Sequence, residues 1–220
     1  MLKLRAVTEP ELKQLWLNEQ SLHERTFVVP DLQSKLTLQK TFLHGHDLLE
    51  EDSVLRASEL WKKILFAVDP EVRLISVDLT KTLLVEWLKA VDLPWAQTAG
   101  AAKTLFAYMQ QLLPLLSHPD GKRLLEEWFE QNPQSRMRWQ VWFEVGLHFW
   151  QRFVEMKWLP HTWVPSYLLH NISEPIAWPK NLVFDLGLEL TSVEAELIRT
   201  LSKQMNVEVW YPSSDWSPYY

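Results

Sequence analysis

The chain has 220 residues, 47% hydrophobic and 23% charged, with a formal net charge of −6 and no cysteine. That suits one large or two small folded domains rather than a disordered chain, and the missing cysteines exclude disulfides, thiolate metal sites and cysteine nucleophiles. The acidic balance argues against a free-standing nucleic-acid binder, which would carry a basic surface.

Leu2 to Val7 alternates apolar and basic residues and reads as a first strand. Glu9 to Asn18 follows as a helix, with Pro10 in its first turn and Thr8 as its N-cap. Thr26 to Val29 is β-branched and apolar, a second strand stopped by Pro30, after which Asp31 caps a helix reaching about Lys40. Ser53 to Ala57 reads as a third strand, and Ser58 caps a helix whose Leu60, Trp61, Ile64, Leu65 and Val68 share one face.

From about Thr80 to about Trp158 apolar residues recur three and four apart, with breaks expected at Pro94, Pro114, Pro119 and Pro133. Trp158 to Lys180, carrying Pro160, Pro165, Pro175 and Pro179, reads as a connector. Leu182 to Asp185 is then a strand, Thr191 with Glu194 forms the S/T-x-x-E pattern that starts a helix, and Val207 to Tyr211 is a last strand closed by Pro212. The expected organisation is an α/β domain built from 1–79 and 180–220, with a helical insertion and connector at 80–179, the whole being a piece of a longer chain. No apolar run reaches the roughly 20 residues of a membrane helix, and MLKLRAVTEPELK lacks the apolar stretch of a signal peptide. A cytoplasmic location is the expectation.

The most informative stretch is NLVFDLGLELTSVEAELI, Asn181 to Ile198. An apolar strand ending in one acidic residue, followed by a polar turn and a helix, delivers Asp185 to the carboxyl end of a sheet, where α/β proteins collect their ligands. The phosphate-binding apparatus that would go with it is missing. A phosphate loop needs glycines, so that backbone N–H groups can close around phosphate, together with a Lys and a Ser or Thr. After LKLRAV there are only Thr8, Glu9 and Pro10; Glu9 repels phosphate, and Gly45, Gly100, Gly121, Gly146 and Gly187 all lie elsewhere. ATP hydrolysis and a bound cofactor are not expected.

Other chemistry is weaker. His44-Gly45-His46-Asp47 has no defined third ligand and reads as a solvated turn rather than a metal site. Asp120 and Glu155-Met156-Lys157 supply the letters of a metal-dependent nuclease in a helical context, and the pairs Glu50/Glu51 and Glu126/Glu127 read as solvated charge. Lys35, Lys40, Arg56, Lys62 and Lys63 would contact DNA phosphates if the first two helices face a channel, with ordinary surface charge the commoner use. The 13 tryptophans leave two readings open: packing between helices, or an aromatic surface for a partner protein or for stacking on single-stranded bases.

Three segments carry a family resemblance: FVVPDLQSKLTLQK at Phe27 to Lys40, VLRASELWKKI at Val54 to Ile64, and Asn181 to Ile198 with the strand Val207 to Pro212 after it. Their order resembles the N-terminal part of AddB-type subunits of bacterial helicase–nucleases, relatives of superfamily 1 DNA helicases, over about a third of the chain. The resemblance implies a degenerate, parallel P-loop-type (RecA-like) sheet with a large all-helical insertion. It also places Asp185 where an active helicase has the magnesium-binding Asp of its DExQD motif, with Leu186 and Leu188 replacing the Glu and Gln, and Glu189 standing for the final Asp. A non-catalytic domain is implied, with Asp185 and Glu189 vestigial and Lys35, Lys40 and Arg56 as candidate DNA contacts. Its implied partners are single-stranded DNA and a helicase or nuclease subunit. The alternative from another class is a helical protein-interaction module; a third is an α/β enzyme of unrecognised type.

Overall fold

The computed structural model describes residues 1–8, 11, 14, 25–45, 49–172, 174–176, 181–185 and 189–212. They fall into two compact units: 1–68 with 174–220, and 69–173.

In the first unit, β2 (Thr26–Val29) is buried along its whole length. That is the signature of an internal strand of a parallel sheet, covered on both faces and therefore uniformly apolar. It pairs in parallel with β3 (Val54–Arg56) on one side and β6 (Asn181–Phe184) on the other. β6 pairs with β7 (Asn206–Pro212), and β7 with β1 (Leu2–Val7), giving the five-stranded order β1-β7-β6-β2-β3.

Alternation along the strands divides the side chains between two faces. On one, Val7, Phe27, Val29, Val54, Val183 and Trp210 pack with Leu38 and Phe42 of α1 (Leu32–Gly45). Phe27 stands 5.1 Å from Phe42 and 5.9 Å from Trp210, ring centre to ring centre. The other face carries Val28, Leu55, Leu182, Phe184 and Val207, all buried. There the Trp61 ring of α2 (Ala57–Val68) lies 6.1 Å from Phe184. The same indole N–H donates to Glu194 of α8 (Ser192–Leu201) at 2.9 Å, so α2 and α8 share this face.

The second unit begins at β4 (Arg73–Ile75), which pairs in parallel with β5 (Trp158–Pro160). Between them run α3 (Val77–Leu88), α4 (Ala101–Leu116), α5 (Gly121–Gln131) and α6 (Arg136–Glu155), and α7 (Val164–Asn171) follows β5. Trp163, fully buried, centres the core, with Phe106, Trp150 and Phe153 within 6.0 Å. Asp69 closes the unit. Its carboxylate accepts from Lys157 at 2.5 Å and from the Tyr167 hydroxyl at 2.7 Å, and burial together with this carboxylate pushes the Tyr167 phenol above its ordinary pKa.

Four expectations need correction. Trp158 to Lys180 is not a plain connector, because β5 and α7 form within it, with Pro165 in the first turn of α7 where no N–H is needed. Pro114 does not break its helix; it lies in the last turns of α4. The third strand ends at Arg56, and its helix is held not by Ser58 but by Glu59, whose carboxylate accepts the Arg56 N–H at 2.9 Å. The helix after Asp31 runs past Lys40 to Gly45. The helix expected at Glu9 to Asn18 falls mostly outside the described residues, as do His46 and Asp47.

Candidate functional site

The sheet order fixes where a ligand would go. From β2 the chain crosses to β3, while from β6 it crosses the opposite way to β7. Adjacent strands whose connections leave in opposite directions open a crevice at their carboxyl ends. Here that crevice lies between Val29 and Asp185. Asp185 is 7% exposed and its backbone N–H donates to the Val28 carbonyl at 2.9 Å, which extends the ladder one residue past β6. Asp185 therefore stands at the topological switch point of the sheet. Glu189 is exposed, just before α8, and positions 186–188 between the two acids lie outside the described residues.

Beyond the carboxyl ends of β1, β2, β3 and β6, the chain's own carboxylates accept backbone N–H groups. After β1, the N–H and hydroxyl of Thr8 both donate to Glu11 at 2.9 Å, and the Glu11 N–H donates back to the Thr8 hydroxyl at 3.4 Å. After β2, Asp31 accepts the Ser34 N–H at 2.7 Å. After β3, Glu59 accepts the Arg56 N–H. After β6, Thr191 and Glu194 form a complete capping box. Hydrogen bonds from Thr8 hold the Glu11 carboxyl below its ordinary pKa, and the Ser34 N–H does the same for Asp31. A helix N-terminus binds phosphate because its first N–H groups lack partners and the helix dipole favours negative charge. After β2 a carboxylate holds one such donor, and after β1, β3 and β6 a carboxylate holds the N–H of the preceding capping residue, so at all four positions an incoming phosphate meets negative charge.

Two of the three candidate DNA contacts pair with the same acid. Lys35 reaches Glu59 at 2.9 Å and Arg56 reaches its other oxygen at 3.0 Å. Burial alone would raise the Glu59 carboxyl, but the Arg56 N–H, the Lys35 ammonium and the Arg56 guanidinium outweigh it and bring the pKa down to about 2. Lys40 is exposed on α1, Lys62 stands 5.8 Å from the Phe66 ring centre, and Lys63 pairs with Asp52. Sequence patterning did not reveal Glu59 as the common partner; its position three residues after Arg56 at a strand end was the available signal.

The tryptophans serve packing in most of their described positions. Trp61, Trp87, Trp150, Trp163 and Trp210 are buried. In the second unit the half-buried Trp142 lies between Trp95 at 4.3 Å and Tyr108 at 4.4 Å, and Trp139 meets Tyr108 edge-on at 5.2 Å. Those ring faces are spent on one another, clasping α4, α6 and the turn before α4; Trp128, 40% exposed, is the outlying ring. Among the described residues no cluster of three or more metal-ligating side chains forms, and no helix is long and apolar enough to cross a membrane. Neither protein-family models nor curated proteins give a match to this chain.

Proposed function

We propose that the chain is a non-catalytic, helicase-like α/β domain that acts by DNA binding or scaffolding within an AddB-like, DNA break-processing helicase–nuclease. The observation that carries this reading is the capping of backbone N–H groups beyond four strand ends by Glu11, Asp31, Glu59 and the Thr191–Glu194 box. It supports a P-loop-type sheet that keeps the Asp at its switch point and has replaced its phosphate cradle with internal caps. Single-stranded DNA and a helicase or nuclease subunit are the proposed partners.

The test is titration of fluorescent single-stranded DNA at low and moderate salt, with labelled ATP in parallel. Salt-sensitive DNA binding without ATP binding is the expected result. ATP binding would overturn the argument from these capped N–H groups.

A second reading, a protein-interaction module without a nucleic-acid role, is favoured by one specific observation. Lys35 and Arg56, two of the candidate DNA contacts, are both already paired with Glu59. Absence of DNA binding at either salt concentration would select it.

A further inference from the structure

The sheet ends in two unlike edges. β3 is three residues long with Val54 and Leu55 buried, whereas β1 is six residues long and exposed from Leu2 to Ala6. Parallel sheets are ordinarily covered on both faces. Here Leu4 is 68% exposed and Leu2 39%, and Tyr211, level with Ala6 on the neighbouring strand, is 46% exposed. Together they form an exposed apolar corner that no described residue covers.

The ladder also fixes which backbone groups are open. Val207 N–H donates to the Met1 carbonyl, and Leu2 lies level with Val207. Lys3 and Arg5 therefore turn their backbone groups to β7, and Leu2, Leu4 and Ala6 turn theirs to the edge, where no described strand pairs with them. An edge of this kind is a template for strand addition.

Charge selects the occupant. Lys3 and Arg5 share the other face of β1; Glu208 lies level with Lys3 and 3.7 Å from Arg5, and Glu11 also acts on Arg5. A second copy pairing antiparallel through Leu4 would set Lys3 against Arg5, a like-charge cross-strand contact that is destabilising. An added strand with acidic residues at those positions gains instead.

We propose that β1 receives an extended segment of a partner polypeptide in which apolar residues, packing on Leu2, Leu4 and Tyr211, alternate with acidic ones facing Lys3 and Arg5. This inference rests on the edge alone and does not require the helicase-like reading.

The test titrates the full chain with a fluorescent octapeptide of alternating Val and Glu, against the Val–Lys counterpart, while following amide hydrogen exchange. The expected result is at least tenfold tighter binding of the acidic peptide, with slowed exchange at Leu2, Leu4 and Ala6 and no change at Lys3 and Arg5. Leu4→Lys, an exposed substitution that leaves the circular dichroism unchanged, abolishes binding, and Lys3→Glu with Arg5→Glu reverses the peptide preference. Equal affinity for both peptides, no binding, or protection away from β1 would overturn the proposal. So would protection of the same amides by self-association without peptide, which would assign the edge to a second copy. DNA titration has no bearing on these outcomes, so failure here and failure of the helicase-like reading are separable.

Discussion

The indole nitrogen of Trp61 donates to the Glu194 carboxylate at 2.9 Å. That carboxylate is also the third helical residue of the α8 capping box, accepting from Thr191. One side chain therefore fixes where α8 begins and how it meets α2 across the face above Phe184.

Replacing Glu194 should show both roles. Glu194→Ala removes half of the capping box and leaves a buried indole N–H unpaired, with an expected cost of ~2 kcal/mol. Glu194→Gln keeps an acceptor and a residue type compatible with the box, and costs less. Urea unfolding of the two variants should rank them in that order; equal stabilities would remove the Trp61 bond from the account.

Glu59 makes the first unit acid-sensitive. Its folded pKa of about 2 lies below its ordinary value of 4.5. The stabilisation is thus complete above pH 4.5 and is lost as pH falls toward 2, because the unfolded chain takes up the proton first. Glu59→Gln should flatten the dependence of unfolding free energy on pH across this window. With the side chain 28% exposed, solvent moderates the size of the effect. A slope unchanged between pH 2 and 4.5 would contradict the assignment.

Lys157 combines strain with an ion pair. It adopts φ 56, a left-handed conformation that favours glycine, at the end of α6, while its ammonium holds Asp69. Lys157→Ala loses the pair and keeps the strain, whereas Lys157→Gly loses the pair and relieves the strain. The glycine variant should be more stable than the alanine variant by about 1 kcal/mol in thermal or denaturant unfolding.

Gly121 opens α5 in close contact with the end of α4. A Cβ there would come within 1.8 Å of the Leu115 carbonyl oxygen, a backbone atom that cannot move aside cheaply. Gly121→Ala should cost ~3 kcal/mol. At Gly146 the nearest atoms are side-chain carbons of Leu116 and Met109 at 3.4 Å, so Gly146→Ala should cost much less. Comparing the two melting temperatures checks the contrast.

The strands β1, β2, β6 and β7 were legible because each is an apolar or alternating run bounded by proline, a polar turn or a capping pattern, and the Thr191–Glu194 box marked the start of α8 in the sequence itself. β4 and β5 were not legible. Arg73–Ile75 and Trp158–Pro160 are three residues each, too short for alternation, and they form only because the fold brings distant segments together. Asp185 was legible as the end of a strand, but its place beside Val28 depended on the order of the sheet. The pairing of Lys35 and Arg56 with Glu59 joins two helices and a strand end across 24 residues, and charge patterning along a single element does not report such contacts.

The order in which the strands are made differs from the order in which they pair. β1 is made well before β7, yet β7 is its described neighbour, with Leu2 level with Val207. At a synthesis rate of roughly 5–20 residues per second, on the order of ten seconds or more separate the two strands. Throughout that interval β1 lacks its described neighbour. Arrest of translation before β6 would leave β2 without its described neighbour on one side and β1 without its described neighbour β7.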